Sequence, residues 1–360
     1  MSYDRDELAV ILLDSMMGLE YKNKIAILDR LDSPKQLFSQ DDYVTEVIYS
    51  VLPESKANTV ASAFNENYLN HVLTKLESRN VRVITKYSEN YPESLQNVDC
   101  PPLCLYCNGN VSLLEEQKIF AVVGTRKCPS DVLRLTKDFA AQLSEAGLCL
   151  VTGSAGGVDS AVIEGALPSE KIISVVAGGI NNVYPAYNKQ LIERVEKFGL
   201  VISEQPPDFE VKPWLFPVRN RIIAGLAEGV LVAAGKHDSG ARHTATFALE
   251  GGKDVFAFPY SIGVSYGELP NSLVKSGAHL CDDVNDILET MRVDVKKVAS
   301  VKLEGDEKTV FSLIKDGVIL ADDLVERSGL KSYEVATVLT KLELGGFIAR
   351  AAGNTYKAIK

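Results

Sequence analysis

Apolar positions along the chain fall into three regimes with different periods. Over residues 1–80 they recur at helical spacing. Leu8, Ile11, Leu12 and Met16 share one face, and Ile25, Leu28 and Leu31 share the next. Asp32-Ser33-Pro34 then reads as a stop and a fresh helix start, so a small helical domain is expected. From Val81-Arg82-Val83-Ile84 onward the period shortens. Short unbroken apolar runs at 119–123, 148–151, 172–176, 200–202, 230–232 and 255–257 read as buried strands. Helical patterns separate them over 130–147, from 153 to 167, near 186–197, over 216–227 and over 241–251. Strands alternating with helices in this way predict a parallel sheet covered on both faces. After a linker at 291–305, which contains Lys296 and Lys297, residues 306–360 read as three helices and a hairpin, the order of a winged helix.

Ligands of such sheets bind beyond the carboxyl ends of the strands. That rule selects the loops at 124–129, 152–159, 178–185, 203–220 and 235–244. Composition is that of a globular protein, with 46% apolar and 24% charged residues. The opening Met-Ser-Tyr-Asp-Arg-Asp-Glu-Leu is charged where a signal peptide is apolar, and no apolar run approaches the roughly 20 residues of a membrane span. A cytoplasmic protein without a membrane partner is expected. The net charge of −10 argues against nucleic acid at first sight. Its distribution argues otherwise: residues 1–117 hold 18 Asp+Glu against 10 Lys+Arg, whereas 211–253 is locally basic.

Three glycine-rich strand-to-helix junctions carry the candidate chemistry. Gly124-Thr125-Arg126-Lys127 offers free N–H groups beside two cations, a pattern that suits phosphate. Thr152-Gly153-Ser154-Ala155-Gly156-Gly157-Val158-Asp159 is neither a dinucleotide fingerprint nor a P-loop, and Asp159 is read chiefly as a helix cap. Ser239-Gly240-Ala241-Arg242-His243 is a third anion-holding junction, and no catalytic triad accompanies its histidine. Between them, Trp214 and Phe216 stand beside Arg219-Asn220-Arg221. Aromatic faces for bases with arginines for the backbone are the materials of a sequence-tolerant single-strand groove. The ordinary alternative is an arginine paired with a carboxylate under the sheet, a role expected for one of the two at most. Cys100, Cys104 and Cys107 have the C-x3-C-x2-C spacing of a radical-enzyme cluster site, but Pro101-Pro102-Leu103 between them reads as the approach to a strand. Inert thiols are expected, with no metal.

These stretches together resemble the DNA-processing protein A family (DprA, also called Smf). The resemblance runs through Tyr91-Pro92-x-x-Leu95, Pro102-x-x-Leu105-Tyr106, Val122-Val123-Gly124-Thr125-Arg126 and Thr152-Gly153-x-Ala155-x-Gly157-Val158-Asp159. It continues in Tyr184-Pro185-x-x-Asn188, Ile202-Ser203-Glu204, Phe216-Pro217-x-Arg219-Asn220-Arg221-Ile222-Ile223-Ala224-Gly225-Leu226 and Ser239-Gly240. It implies an α/β fold: an extended Rossmann-like domain at 81–290, a SAM-like or helix-hairpin-helix-like domain at 1–80 before it, and a winged helix at 306–360 after it. It also implies a homodimer that binds single-stranded DNA and helps load the RecA recombinase in natural transformation, without cofactor or catalytic residue. The implied DNA-binding residues are Arg126, Phe216, Arg219 and Asn220, with Ser239 and Gly240 holding an anion. Charge and proximity add Lys127, Lys212, Arg221 and Arg242, and Gly124, Gly153 and Gly157 complete the phosphate loops. The alternative is a nucleoside monophosphate phosphoribohydrolase on a related sheet, with Glu204 or Asp159 as its acid. The Gly-Gly-x-Gly-Thr loop of those hydrolases is missing.

Overall fold

Residues 3–293, 303, 305–344, 347–351 and 354–358 are described by the computed structural model. Most of the expected linker, including Lys296 and Lys297, lies outside the described residues, as do Gly345, Gly346 and Gly353 of the expected hairpin. The chain divides into two units, Met1–Val295 and Lys296–Lys360.

The first unit opens with five helices: α1 (Arg5–Ser15), α2 (Tyr21–Leu28), α3 (Asp42–Val51), α4 (Glu54–Ala63) and α5 (Glu66–Glu77). A capping box starts α1. The Asp4 carboxylate accepts from the Glu7 N–H at 2.8 Å, and Glu7 accepts from the Asp4 N–H at 2.8 Å. The sequence suggested one apolar face, yet Ala9, Val10, Ile11, Leu12 and Leu13 are all buried in succession. The cause is position: α1 lies against α5 on one side and the sheet edge on another, so every face of the helix is covered.

The sheet begins with β1 (Arg82–Thr85) and, after the short α6 (Glu93–Gln96), β2 (Cys104–Gly109). There follow β3 (Ile119–Gly124), α7 (Ser130–Glu145), β4 (Cys149–Thr152), α8 (Val158–Ala166), β5 (Ile172–Val175), α9 (Lys189–Phe198) and β6 (Leu200–Ser203). The second half runs α10 (Leu215–Leu226), β7 (Gly229–Ala234), α11 (Ala241–Glu250), β8 (Asp254–Ala257), α12 (Glu268–Lys275), β9 (His279–Leu280) and α13 (Val284–Thr290). Strand order is β1-β2-β6-β5-β4-β3-β7-β8-β9. From β6 across to β9 every pairing is parallel, as the apolar runs predicted. β1 and β2 extend the β6 edge antiparallel, a direction that apolar patterning does not encode.

Alternation along β3 divides the core. Phe120 and Val122 join an apolar cluster that continues through α7, α8 and α9 into the N-terminal helices. Ile119, Ala121 and Val123 face a second cluster under α10 and α11. The chain leaves β3 toward β4 in one half and enters β7 on its other side in the next. The order therefore reverses at β3, and a crevice opens between the carboxyl ends of β3 and β7.

The second unit contains α14 (Gly305–Lys315), α15 (Ala321–Ser328), α16 (Ser332–Leu344) and the antiparallel pair β10 (Ile348–Ala351) and β11 (Thr355–Ala358). It has its own core, including Val310, Ile314, Leu324, Val335, Leu339 and Tyr356. Leu320 bridges Thr355, giving the compact helical–hairpin arrangement of a winged helix. Among the described residues no helix is long and apolar enough to cross a membrane.

Candidate functional site

At the reversal point of the sheet lies a cavity of about 450 Å³. Its walls come from the end of β3 and the loop after it (Val123–Lys127), from Ala155 and Asp159, from one side of α10, and from the β7–α11 junction (Lys236–Thr244). Two glycines set the loops together. A Cβ at Gly124 would lie 2.6 Å from Val158 Cγ2. Gly157 has φ +77°, and a Cβ there would meet the Thr125 carbonyl oxygen at 2.5 Å and the Arg126 carbonyl carbon at 2.7 Å. Only glycine permits this approach. The Val158 N–H then donates to the Thr125 oxygen at 3.2 Å, and the Thr125 N–H donates to Ala234 of β7 at 2.9 Å. The first and second glycine loops are thus stitched to each other and to the central strands.

Arg126 is exposed and stands over the Phe216 ring, 4.6 Å from its centroid. Tyr184 meets the other edge of that ring in a T-shaped contact at 5.7 Å. This places a delocalised cation on an aromatic face at the mouth of the cavity. One turn further along α10, Arg219 is 93% buried. It donates through Nη1 to the Val175 carbonyl and through Nε to Asn220 Oδ1 at 3.1 Å. Asn220 passes the connection on, donating to the Gly240 carbonyl at 3.1 Å. The three candidate loops therefore meet through α10. Lys127 and Lys236 are exposed at the rim. Counted together, the lining carries four cations (Arg126, Lys127, Arg219, Lys236) and one carboxylate, Asp159. In a protein of net charge −10 this is a local reversal of sign.

Asp159 is not a helix cap. No side chain caps α8; the Asp159 carboxylate instead accepts from the Ala155 N–H at 3.1 Å and holds the loop ahead of the helix. Burial pushes this carboxyl above the usual range, opposed first by the charge of Arg219. Burial likewise lowers the Arg219 guanidinium below the usual arginine value, with Asp159 opposing. Gly153 is closed in by both groups, since a Cβ there would lie 2.6 Å from Arg219 Nη1.

The sequence-selected residues separate into two sets. Arg126, Lys127, Phe216, Arg219, Asn220, Gly124, Ser239 and Gly240 line this cavity, while Gly153 and Gly157 lie directly behind it. Lys212, Arg221 and Arg242 do not line it. Lys212 is exposed and pairs with Glu210 at 2.9 Å. Arg242 reaches His237 Nδ1 at 2.6 Å on the surface. Arg221 is buried on another side of α10, where it pairs with Glu204 and lines a different cavity. Both arginines of Arg219-Asn220-Arg221 are therefore buried, but among the described residues only Arg221 forms an ion pair with a carboxylate, so the carboxylate-paired role falls to one of the two, as expected. The helix turns them to different faces, and each finds acceptors under the sheet. Lys236 is a lining residue outside the expected set, although it lies two residues beyond β7 in a loop that the strand-end rule names. Cys104 and Cys107 are buried in opposite cores on β2 and Cys100 is exposed. Among the described residues no group of His, Cys, Asp or Glu could hold a metal ion.

Residues 82–292 match the family described as DNA recombination-mediator protein A, and residues 296–354 match the DprA winged helix domain. The chain belongs to the DNA recombination-mediator protein A family. It is 32% identical to the protein Smf of Escherichia coli over 304 residues, 81% of each chain. It is 34% identical to the DNA processing protein DprA of Bacillus subtilis over 224 residues, 62% of this chain and 75% of that one. Among solved structures, the DprA of Streptococcus pneumoniae superposes with a TM-score of 0.67 at 28% identity, covering 80% of this chain and 98% of that one. The DNA processing protein A of Helicobacter pylori, whose structure concerns its single-stranded DNA binding mode, gives a TM-score of 0.55 at 29% identity and covers 59% of this chain and 97% of its own. As a member of this family the chain is a DNA-processing protein of the recombination-mediator type, with the winged helix that accompanies it.

Proposed function

We propose that this protein captures single-stranded DNA in the β3–β7 cavity, independently of sequence and without chemistry of its own. The observation that carries the reading is the stack of Arg126 on Phe216 at the mouth of a cavity with four cations and one carboxylate. Phosphates would meet Arg126, Lys127 and Lys236 and the open backbone at Gly240, where a Cβ would touch nothing within 4 Å. Bases would stack on Phe216 and Tyr184, since every base has a π face. Arg219 and Asn220 hold the floor. Lys212, Arg221 and Arg242 take no part in this version of the groove.

The family's description as a DNA recombination mediator supports a role in handling strands for recombination. A strand held this way is shielded and presented, and the protein would act as a homodimer that helps load a RecA-type recombinase on DNA entering the cell during transformation. The hydrolase reading fares less well on geometry. Its two candidate acids do not face a common ligand: Asp159 braces its own loop, and Glu204 sits in the other cavity bound to Arg221.

Fluorescence anisotropy with a labelled oligo-dT strand, at low and high salt and against a matched duplex, tests the proposal. Tight binding to the single strand that weakens steeply with salt is expected. Absence of binding at low salt would end the reading.

A further inference from the structure

Tyr187 is the most exposed tyrosine among the described residues, at 75%, and no described residue hydrogen-bonds its hydroxyl or pairs with its ring. Its position is nevertheless fixed by its surroundings. A Cβ on Gly156 would collide with the Tyr187 hydroxyl oxygen and lie 3.1 Å from Cζ, so the tip of the ring rests on the bare backbone of the second glycine loop. The segment that carries the ring is pinned to the same loop. The buried Asn188 side chain donates to the Ser154 carbonyl at 2.9 Å, and the Ser160 hydroxyl donates to Asn188 Oδ1 at 3.3 Å. Gly157, the next residue, is the one whose Cβ would meet the Arg126 carbonyl carbon at 2.7 Å. With about 3.8 Å between consecutive Cα atoms, the Tyr187 hydroxyl and the Arg126 backbone are less than about 12 Å apart. Tyr184, three residues earlier on the same segment, is the ring that meets Phe216 at 5.7 Å. One short segment therefore carries two aromatic side chains at the mouth of the first cavity, and the second has a face with nothing on it.

A strand longer than the first cavity has to leave it, and charge decides between two ways out. Trp214, 60% exposed and two residues before Phe216, stands on one of them. It lines a second cavity of about 640 Å³ whose acids are Asp14, Glu20, Asp99 and Glu204. The two cations there, Lys24 and Arg221, are each paired with one of those acids, Asp14 at 2.8 Å and Glu204. Phosphates are repelled on that side. On the other side Lys189 is exposed at the start of α9, and its only ion pair among the described residues is with exposed Glu193 at 4.0 Å. An exposed pair that long holds a lysine weakly and leaves it available to a phosphate. We propose that Tyr187 is a further base platform of the groove: the strand leaves the first cavity over the second glycine loop, stacks a base on Tyr187 and lays the next phosphate toward Lys189. The inference rests on the reading that the first cavity holds single-stranded DNA, and adds the direction in which the strand leaves.

Anisotropy titrations of the full-length protein with labelled oligo-dT, and with an abasic strand of the same number of phosphates, test the platform. Losing one base–aromatic stack lowers affinity roughly 5- to 150-fold, so Tyr187→Ala should bind oligo-dT more weakly by that factor. Its slope of log affinity against log salt should stay that of the wild type, because the ring carries no charge. Its affinity for the abasic strand should not change. Tyr187→Phe keeps the ring and should bind like the wild type. The side chain is exposed and without partners, so both variants should melt with the wild type. Ultraviolet crosslinking of oligo-dT substituted with iododeoxyuridine, followed by peptide sequencing, should mark Tyr187. Wild-type affinity of Tyr187→Ala for oligo-dT would overturn the proposal, and so would an equal loss on the abasic strand. A loss in Tyr187→Phe as large as in Tyr187→Ala would assign the effect to the hydroxyl and overturn stacking. Crosslinks at Trp214 and none at Tyr187 would send the strand the other way. If the wild type binds no oligo-dT, the groove reading falls and this inference with it. If Arg126→Ala weakens binding and Tyr187→Ala does not, the groove stands and only this inference falls.

Discussion

Replacing Arg126 with alanine separates binding from folding at the proposed groove. Arg126 is exposed, and its guanidinium stands over the face of Phe216 at 4.6 Å. Losing an exposed cation–π contact costs about 0.5–1 kcal/mol of stability, so the folded state should survive with a melting temperature lowered by a few degrees at most. A charge-assisted contact to a phosphate is worth roughly 1.5–3 kcal/mol. Affinity for oligo-dT should therefore fall roughly 10- to 150-fold at low salt, at about 1.4 kcal/mol per factor of ten. Because one fewer counterion is released, the slope of log affinity against log salt should also become shallower by about 0.7. Anisotropy titrations at several salt concentrations measure both numbers. Wild-type affinity with an unchanged slope would refute the argument that Arg126 meets a phosphate, and with it the position of the groove. A lower affinity with the wild-type slope would mean that Arg126 acts only through the Phe216 ring.

Arg219→Ala should behave differently: it strands the buried Asp159 carboxylate and leaves the Val175 carbonyl without its donor, so a stability loss of about 3–5 kcal/mol is expected in chemical denaturation. Gly157→Ala places a Cβ 2.5 Å from the Thr125 oxygen at φ +77°, and a cost of about 1–3 kcal/mol with weakened strand binding should appear beside an unchanged far-ultraviolet spectrum. Lys24→Met breaks the complete Asp14–Lys24 pair and should destabilise by about 3–5 kcal/mol, measured by denaturant midpoint. Asp208 receives hydrogen bonds from Lys75 and, at 2.7 Å, from Asn181; these hold its carboxyl below the usual range, the Lys75 bond most strongly. Its stabilisation is thus present above the ordinary carboxylate range and lost as pH falls through its folded-state value. Asp208→Asn should flatten that part of the acid-side stability profile while costing about 0.5–1 kcal/mol at neutral pH.

Much of this protein can be read along the chain because its instructions are local. Short apolar runs alternating with helical patterns predict parallel strands, and the runs at 119–123 and 230–232 both belong to the centre of the sheet. The rule that ligands lie beyond strand ends then named the loops that do line the cavity. Gly124, Arg126, Phe216 and Ser239 were legible for that reason. What the chain could not disclose is which elements stand next to one another. α1 has a moderate apolar pattern in sequence, and only its place between α5 and the sheet buries it on every side. Arg219 and Arg221 are two residues apart, a separation that a helix turns to different faces. One therefore floors the cavity at β3 and β7, while the other reaches Glu204 from the end of β6. Their carboxylate and carbonyl partners are 17 and 44 residues away in sequence. Burial of a charge is decided by partners that only the tertiary fold brings within reach, so local pattern settles the elements and packing settles the roles of the arginines.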